Sequence, residues 1–343
     1  MLPALAAPDA AREVKIFGAA WLREAISDIM NVKKISFVSG GAFMKVAIAG
    51  GTGFVGKHLT QLFLQRKDTV ILISRKKRRS DHPLIRHMTW DELENNIKPL
   101  EGVDAIVNLA GETINQRWTE EAKKRILESR LDAVHRVQAL IEQLEKKPVL
   151  VNASGMAIYG TSETESFTEE SELRVEDFLS GVVDQWEMAA EHIPDTRVVL
   201  LRIGLVLGND GGAFPKMSLP FKLGIGGRVG SGRQIMSWIH IEDLCRMIEF
   251  CIEHEEIEGP VNATAPIPVT NDQFGRSLAK ALRRPYWLPV PAFVLKSLFG
   301  EMSELLLKGQ QVFPKVVTDL GFRYKYSVID HALENLVRSG KKG

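Results

Sequence analysis

Gly50, Gly53 and Gly56 recur at a spacing of three in the run Lys45-Val-Ala-Ile-Ala-Gly50-Gly-Thr-Gly-Phe-Val-Gly56. A strand that turns through glycines into a helix offers free backbone N–H groups and the positive helix end to an anion. Gly50 permits the tight turn, Gly53 lets a pyrophosphate approach the backbone, and Gly56 lets the helix pack closely on the strand. The spacing predicts a dinucleotide turn, with Thr52, Phe54 and Val55 carried in the same segment. After the next apolar run comes Arg75-Lys-Lys-Arg-Arg79. A site preferring NAD usually places an acid there, to accept hydrogen bonds from the ribose 2′-hydroxyl. A carboxylate would repel a 2′-phosphate, whereas an arginine pairs with it. Ser74 and Arg75 therefore predict NADP(H), while residues 76–79 read as a solvated basic loop.

Those residues need elements to hold them. Apolar, β-friendly runs at 46–49, 69–74, 87–90, 103–111, 148–154 and 197–202 predict six strands. Helical spacing begins at Lys57 and recurs at 91–96, 118–144 and 177–192, with Thr119 before Glu120-Glu121 as a start signal. The alternation indicates an α/β fold with a doubly wound parallel sheet and right-handed crossovers. Ligands in such sheets bind beyond the carboxyl ends of the strands. That rule puts Gly50 to Gly56, Arg75, Leu109, Ala110, Gly111, Ser154, Ile203 and Gly204 along one edge. From residue 208 the texture changes. Glycine-rich segments at 208–212 and 224–232 suggest a mobile cap over a cleft, and 270–343 reads as short helices broken by prolines. The expected domains are 44–208 for the dinucleotide-binding sheet and 209–343 for a smaller C-terminal substrate and cap lobe, with 236–263 returning to the sheet.

A chain of 343 residues suits one large α/β domain with such a lobe. Lys plus Arg is 44 against 43 for Asp plus Glu, so the net charge of +1 gives no reason to invoke nucleic acid or an acidic membrane. No apolar run is long enough to span a bilayer. Cys245 and Cys251 read as reduced core thiols, no metal set is expected, and the expected location is the cytoplasm. Residues 1–43 stand outside the plan as an N-terminal extension. Met44 directly precedes the first strand as an initiator would, and the codons of Gly40-Gly41 can spell a ribosome-binding sequence. The segment also lacks the organisation of a signal peptide.

Several segments together resemble the extended short-chain dehydrogenase/reductase superfamily, a Rossmann-type fold. They are Gly50-x-x-Gly53-x-x-Gly56, Asn108-Leu-Ala-Gly111, Asn152-Ala-Ser154 leading to Tyr159-Gly160, Leu201-Arg-Ile-Gly-Leu-Val-Leu-Gly208 and Trp238-Ile-His-Ile-Glu-Asp243. Thr89-Trp-Asp-Glu-Leu93, Glu112, Pro220-Phe and Gly230-Ser-Gly232 bring it closer to the branch known as epimerase family protein, which is nucleoside-diphosphate-sugar epimerase-like and has a C-terminal domain of unknown function. The resemblance covers about residues 44–340.

It implies cofactor binding, and a Ser, a Tyr and a Lys four residues after the Tyr for proton transfer. Ser154 matches the serine. Anchoring the helix on Glu187 places Leu179 and Val183 where the Tyr and Lys should stand, and neither carries a proton. Tyr159 beside Ser154 is the first replacement, with His240 behind it. Glu112, Arg117, Trp238 and His240 are expected at the substrate cleft, Arg130 is a further cation that can meet a phosphate or carboxylate, and one of Trp90, Trp118 and Trp238 is expected to touch ligand. The expected function is an NADP(H)-dependent oxidoreductase or epimerase-like enzyme on a small polar carbonyl or hydroxyl compound, such as a nucleotide sugar. The alternative is an NADP(H)-binding sensor without turnover. A homodimer stays open.

Overall fold

The computed structural model describes residues 43–340, so the expectations for residues 1–42 lie outside the described residues. Seven strands form the main sheet: β1 (Lys45–Ala49), β2 (Thr69–Ser74), β3 (Ile85–Thr89), β4 (Ala105–Asn108), β5 (Val149–Gly155), β6 (Val198–Ile203) and β7 (Gly259–Ala263). Their order is β7-β6-β5-β4-β1-β2-β3, and every pairing is parallel. Side chains alternate across a strand. Val46 and Ile48 of β1 therefore enter one core with Leu59, Phe63, Leu244 and Ile248. Ala47 and Ala49 enter the other, with Trp90, Val134, Val137 and Trp186. Helices on both faces explain why the central strands are almost wholly apolar.

The helices that matter for the site are α1 (Phe54–Gln65), α2 (Trp90–Asn95), α3 (Glu120–Glu142), α4 (Phe178–Glu191), α5 (Phe214–Lys222) and α6 (Ile241–Glu253). Thr119 caps α3 by accepting from the Ala122 N–H, and Asp177 caps α4 from the Ser180 N–H. Trp90, expected at the end of a strand, is instead the first residue of α2, because Thr89 and Glu92 close a capping box around it. The fourth strand stops at Asn108, so residues 109–111 leave the sheet as a loop.

The glycine-rich segments, read as a mobile cap or as connecting loop, each contact the residues around them. A Cβ on Gly211 would lie 2.5 Å from the Phe54 ring, and Asn209 Nδ2 donates to the Leu336 carbonyl at 2.6 Å. Trp287 Nε1 likewise donates to the Gly224 carbonyl at 3.0 Å. The C-terminal lobe has its own core, including Phe214, Trp238, Phe274, Leu278 and Leu333. Asp243 ties it to α6: its carboxylate accepts from the backbone N–H groups of Lys325 and Tyr326 at 2.8 and 2.7 Å.

Candidate functional site

The glycine turn is built as its spacing demands. Gly50 has φ +76°, and a Cβ there would lie 2.7 Å from the Leu109 carbonyl carbon, so the turn abuts the loop after β4. A Cβ on Gly56 would lie 2.5 Å from Gly51 Cα, which lets α1 press against the turn. Gly53 precedes α1, and no side chain caps that end. The first N–H groups of α1 have no intrahelical acceptor, so they form an open cradle for an anion. Thr52 is half-buried beside it. Phe54 and Val55 pack their side chains against protein, which leaves their backbone N–H groups to the cradle.

Beyond the tip of β2 lies a cavity of about 450 Å³ lined by Thr52, Ser74, Arg75, Lys76 and Arg78. Its lining holds three cations and no carboxylate. Ser74 Oγ donates to the Lys76 carbonyl at 2.8 Å and fixes the bend of the loop. Lys76 and Arg78, read from sequence as part of a solvated loop, are exposed and also line this cavity beside Arg75. Their signal was a run of five cations, too uniform to say which of them line the cavity. Arg75 also lines a second cavity of about 560 Å³, shared with Glu112, Arg125, Glu128, Ser129, Leu131, Asp132 and His135.

Next along the edge, Asn108 Nδ2 donates to Asn152 Oδ1 at 2.7 Å and locks β4 to β5. Leu109 and Ala110 are half-buried, and Gly111 and Arg117 are exposed. Ile203 ends β6 and Gly204 follows it; a Cβ on Gly204 would lie 2.6 Å from the Ser237 carbonyl oxygen.

Ser154 ends β5 with 6% of its surface exposed, and its hydroxyl donates to Glu187 Oε1. Glu187 lies one turn beyond Val183 on α4. Arg202 answers it with a two-pronged contact, Nε to Oε1 at 2.9 Å and Nη2 to Oε2 at 2.7 Å. Arg202 Nη1 also donates to the Tyr159 hydroxyl at 2.8 Å, which donates to Asn262 Oδ1 at 2.8 Å. Burial alone would drive the Arg202 pKa down, but the Glu187 carboxylate holds it above its ordinary value. Glu187 served in the sequence only as an anchor for the helix and Arg202 only as part of a motif; neither was read as a site residue. Their signal was two charges inside elements that otherwise read as core, where a buried charge demands a partner.

Three expected site residues sit elsewhere. Tyr159 ends a short helical turn over Met156–Tyr159, is fully buried, and bonds Arg202 and Asn262, not Ser154. Burial raises its pKa. His240 is 2% exposed, and its Nδ1 accepts from the Glu242 N–H to cap α6. Burial lowers its pKa to about 4. Trp238 is fully buried and donates from Nε1 to the Ile267 carbonyl at 3.0 Å. Trp90 is also core, and Trp118 is the half-exposed member of the three.

Residues 46–263 match the model of the NAD dependent epimerase/dehydratase family, and residues 290–336 match a domain of unknown function, DUF1731. The chain is 43% identical over 304 residues to epimerase family protein YfhF of Bacillus subtilis, covering 87% of this chain and 99% of that protein. It is similar to the crystal structure of human epimerase family protein SDR39U1 with NADPH: 39% identity, a TM-score of 0.80, and 86% and 99% of the two chains. A nucleoside-diphosphate sugar epimerase from Corynebacterium glutamicum shares 29% identity with a TM-score of 0.70, over 96% of this chain and 63% of that one.

Proposed function

The chain belongs to the NAD-dependent epimerase/dehydratase family, and from that premise we propose that it is an NADP(H)-dependent oxidoreductase or epimerase-like enzyme. Its substrate on this reading is a small polar carbonyl or hydroxyl compound, such as a nucleotide sugar. The observation that carries the cofactor choice is the acid-free cavity of Thr52, Ser74, Arg75, Lys76 and Arg78, which suits a 2′-phosphate. The cradle of Gly50, Gly53 and Gly56 would hold the pyrophosphate. The human relative's structure with NADPH supports the same choice.

Bound NADP(H) would supply or accept the hydride. Ser154 spends its only proton on Glu187 and so turns lone pairs to the cleft. A substrate hydroxyl can pass its proton to Ser154 Oγ while the serine proton moves to Glu187; carbonyl reduction runs the same steps backwards. Glu187 takes that role from Tyr159 and His240, because it is the group bonded to the Ser154 hydroxyl, whereas Tyr159 donates to Asn262 and His240 caps α6.

Titration calorimetry with NADPH and NADH tests the cofactor choice. A charge-assisted phosphate contact gives a preference of roughly ten- to hundredfold for NADPH, and equal affinities would overturn it. A carbonyl panel followed by loss of NADPH absorbance tests turnover, which Ser154→Ala should cut by about 10²–10⁴-fold without loss of NADPH affinity. The apolar Leu179 and Val183 favour the second reading, a sensor, and tight NADPH binding with no turnover across the panel would select it.

A further inference from the structure

Arg130 lies on α3 against Gly111: a Cβ on that glycine would sit 3.3 Å from Arg130 Cγ and Cζ. β4 and β5 are neighbours, with Asn108 opposite Asn152, so the loop carrying Gly111 and the strand end carrying Ser154 leave the same sheet edge side by side. The guanidinium stacks over Trp186 at 5.0 Å from the ring centre, and Trp186 adjoins Glu187 on α4. Arg130 is therefore a fixed cation between the loop after β4 and α4, the helix that carries Glu187.

Its hydrogen bonds use only two of its five N–H donors. Nη1 donates to the carbonyls of Glu112 at 3.1 Å and Ile126 at 2.8 Å. The Nε and Nη2 edge makes no hydrogen bond among the described residues, and neither atom is sealed from solvent. Other half-buried arginines are spent. Arg66 pairs with Asp68, Glu249 and Glu253, and Arg246 with Asp243, while Arg197 donates to four helix-end and loop carbonyls. Arg130 feels the charge of Glu112 but forms no ion pair with it, and burial lowers its pKa to about 10, which leaves it charged at neutral pH. The Nε and Nη2 pair is the geometry that grips a carboxylate or phosphate in two parallel bonds. Arg130 does not line the 560 Å³ cavity of Arg75, although its partner Glu112 and its chain neighbours Ser129 and Leu131 do.

We propose that Arg130 reads an oxyanion on the substrate, so that the compound turned over carries a phosphate or carboxylate near its reacting oxygen. The proposal rests on the NADP(H) reading for the position of the reacting centre. In the test, full-length protein saturated with NADP+ is titrated with inorganic phosphate and separately with acetate. The indole N–H resonance of Trp186, assigned through Trp186→Phe, reports occupancy. The expected result is a saturable shift with at least one probe, weakened about tenfold or more in Arg130→Met and less in Arg130→Lys, which keeps charge but loses the fork. Response to phosphate alone assigns a phosphorylated substrate, and response to acetate alone assigns an acid. No saturable shift in the parent with either probe overturns the proposal. So does a loss of NADP+ affinity in both Arg130 variants, which would give the residue to the cofactor. If the parent binds no NADP+, the cofactor reading fails by itself, and the same two titrations without NADP+ judge Arg130.

Discussion

Deleting the Glu187 carboxylate should cost more than any other single truncation around the site. Glu187 and Arg202 are each 3% exposed, so the pair is almost fully removed from water. Glu187→Ala breaks both contacts to Arg202 and the bond from Ser154, and leaves the guanidinium buried with only the Tyr159 hydroxyl. Removing one partner of a buried pair costs about 3–5 kcal/mol, because the surviving charge keeps its desolvation penalty. That is a large share of a typical stability of about 5–15 kcal/mol. For a chain of this length it corresponds to a Tm lower by roughly 5–8 °C. Urea unfolding followed by far-UV circular dichroism at neutral pH measures the loss. The double variant Glu187→Leu with Arg202→Met removes both charges and should recover most of it. A single variant within about 1 kcal/mol of the parent would refute the reasoning, as would a double variant no better than the single.

Arg75→Asp should weaken NADPH binding by roughly ten- to hundredfold and favour NADH, without loss of stability, since Arg75 is exposed; unchanged NADPH affinity in calorimetry would remove Arg75 from the cavity's function. Burial holds the His240 imidazole at about 4 against 6.5 for the free group, so the unfolded chain takes up its proton first. Stability from this residue is complete above about pH 6.5 and is lost as pH falls towards about 4, with about 2 kcal/mol gone between roughly pH 7 and 5. His240→Asn keeps a helix-capping side chain and should flatten that slope in urea midpoints; an unaltered slope assigns the acid sensitivity elsewhere. Tyr159→Phe removes a hydroxyl bonded to Arg202 and Asn262 and should cost about 1–3 kcal/mol. NADPH affinity and carbonyl turnover should stay at parental levels, and a collapse in turnover would return Tyr159 to the relay.

The dinucleotide turn was legible because its requirements are local. A positive φ at Gly50 and the close approach at Gly56 are settled within a few residues, and only glycine meets them. The parallel sheet was legible for a related reason: strands buried on both faces must read as short apolar runs between helices. Arg75 followed from its place at a strand tip, and Ser154 from the family pattern at the end of β5. Lys76 and Arg78 were not separable from their neighbours until the loop was bent around the Ser74 hydroxyl. The polar network lay further out of reach. Ser154 meets Glu187 across 33 residues, and Tyr159 meets Asn262 across 103. Nothing in the spacing of those residues says that they touch. By itself the sequence determined the glycine turn and the alternating α/β order, both of which depend on neighbours along the chain. Tertiary structure alone decided which polar groups face ligand and which are spent on each other, because that choice depends on strand order and helix packing, which bring distant charges into one desolvated space.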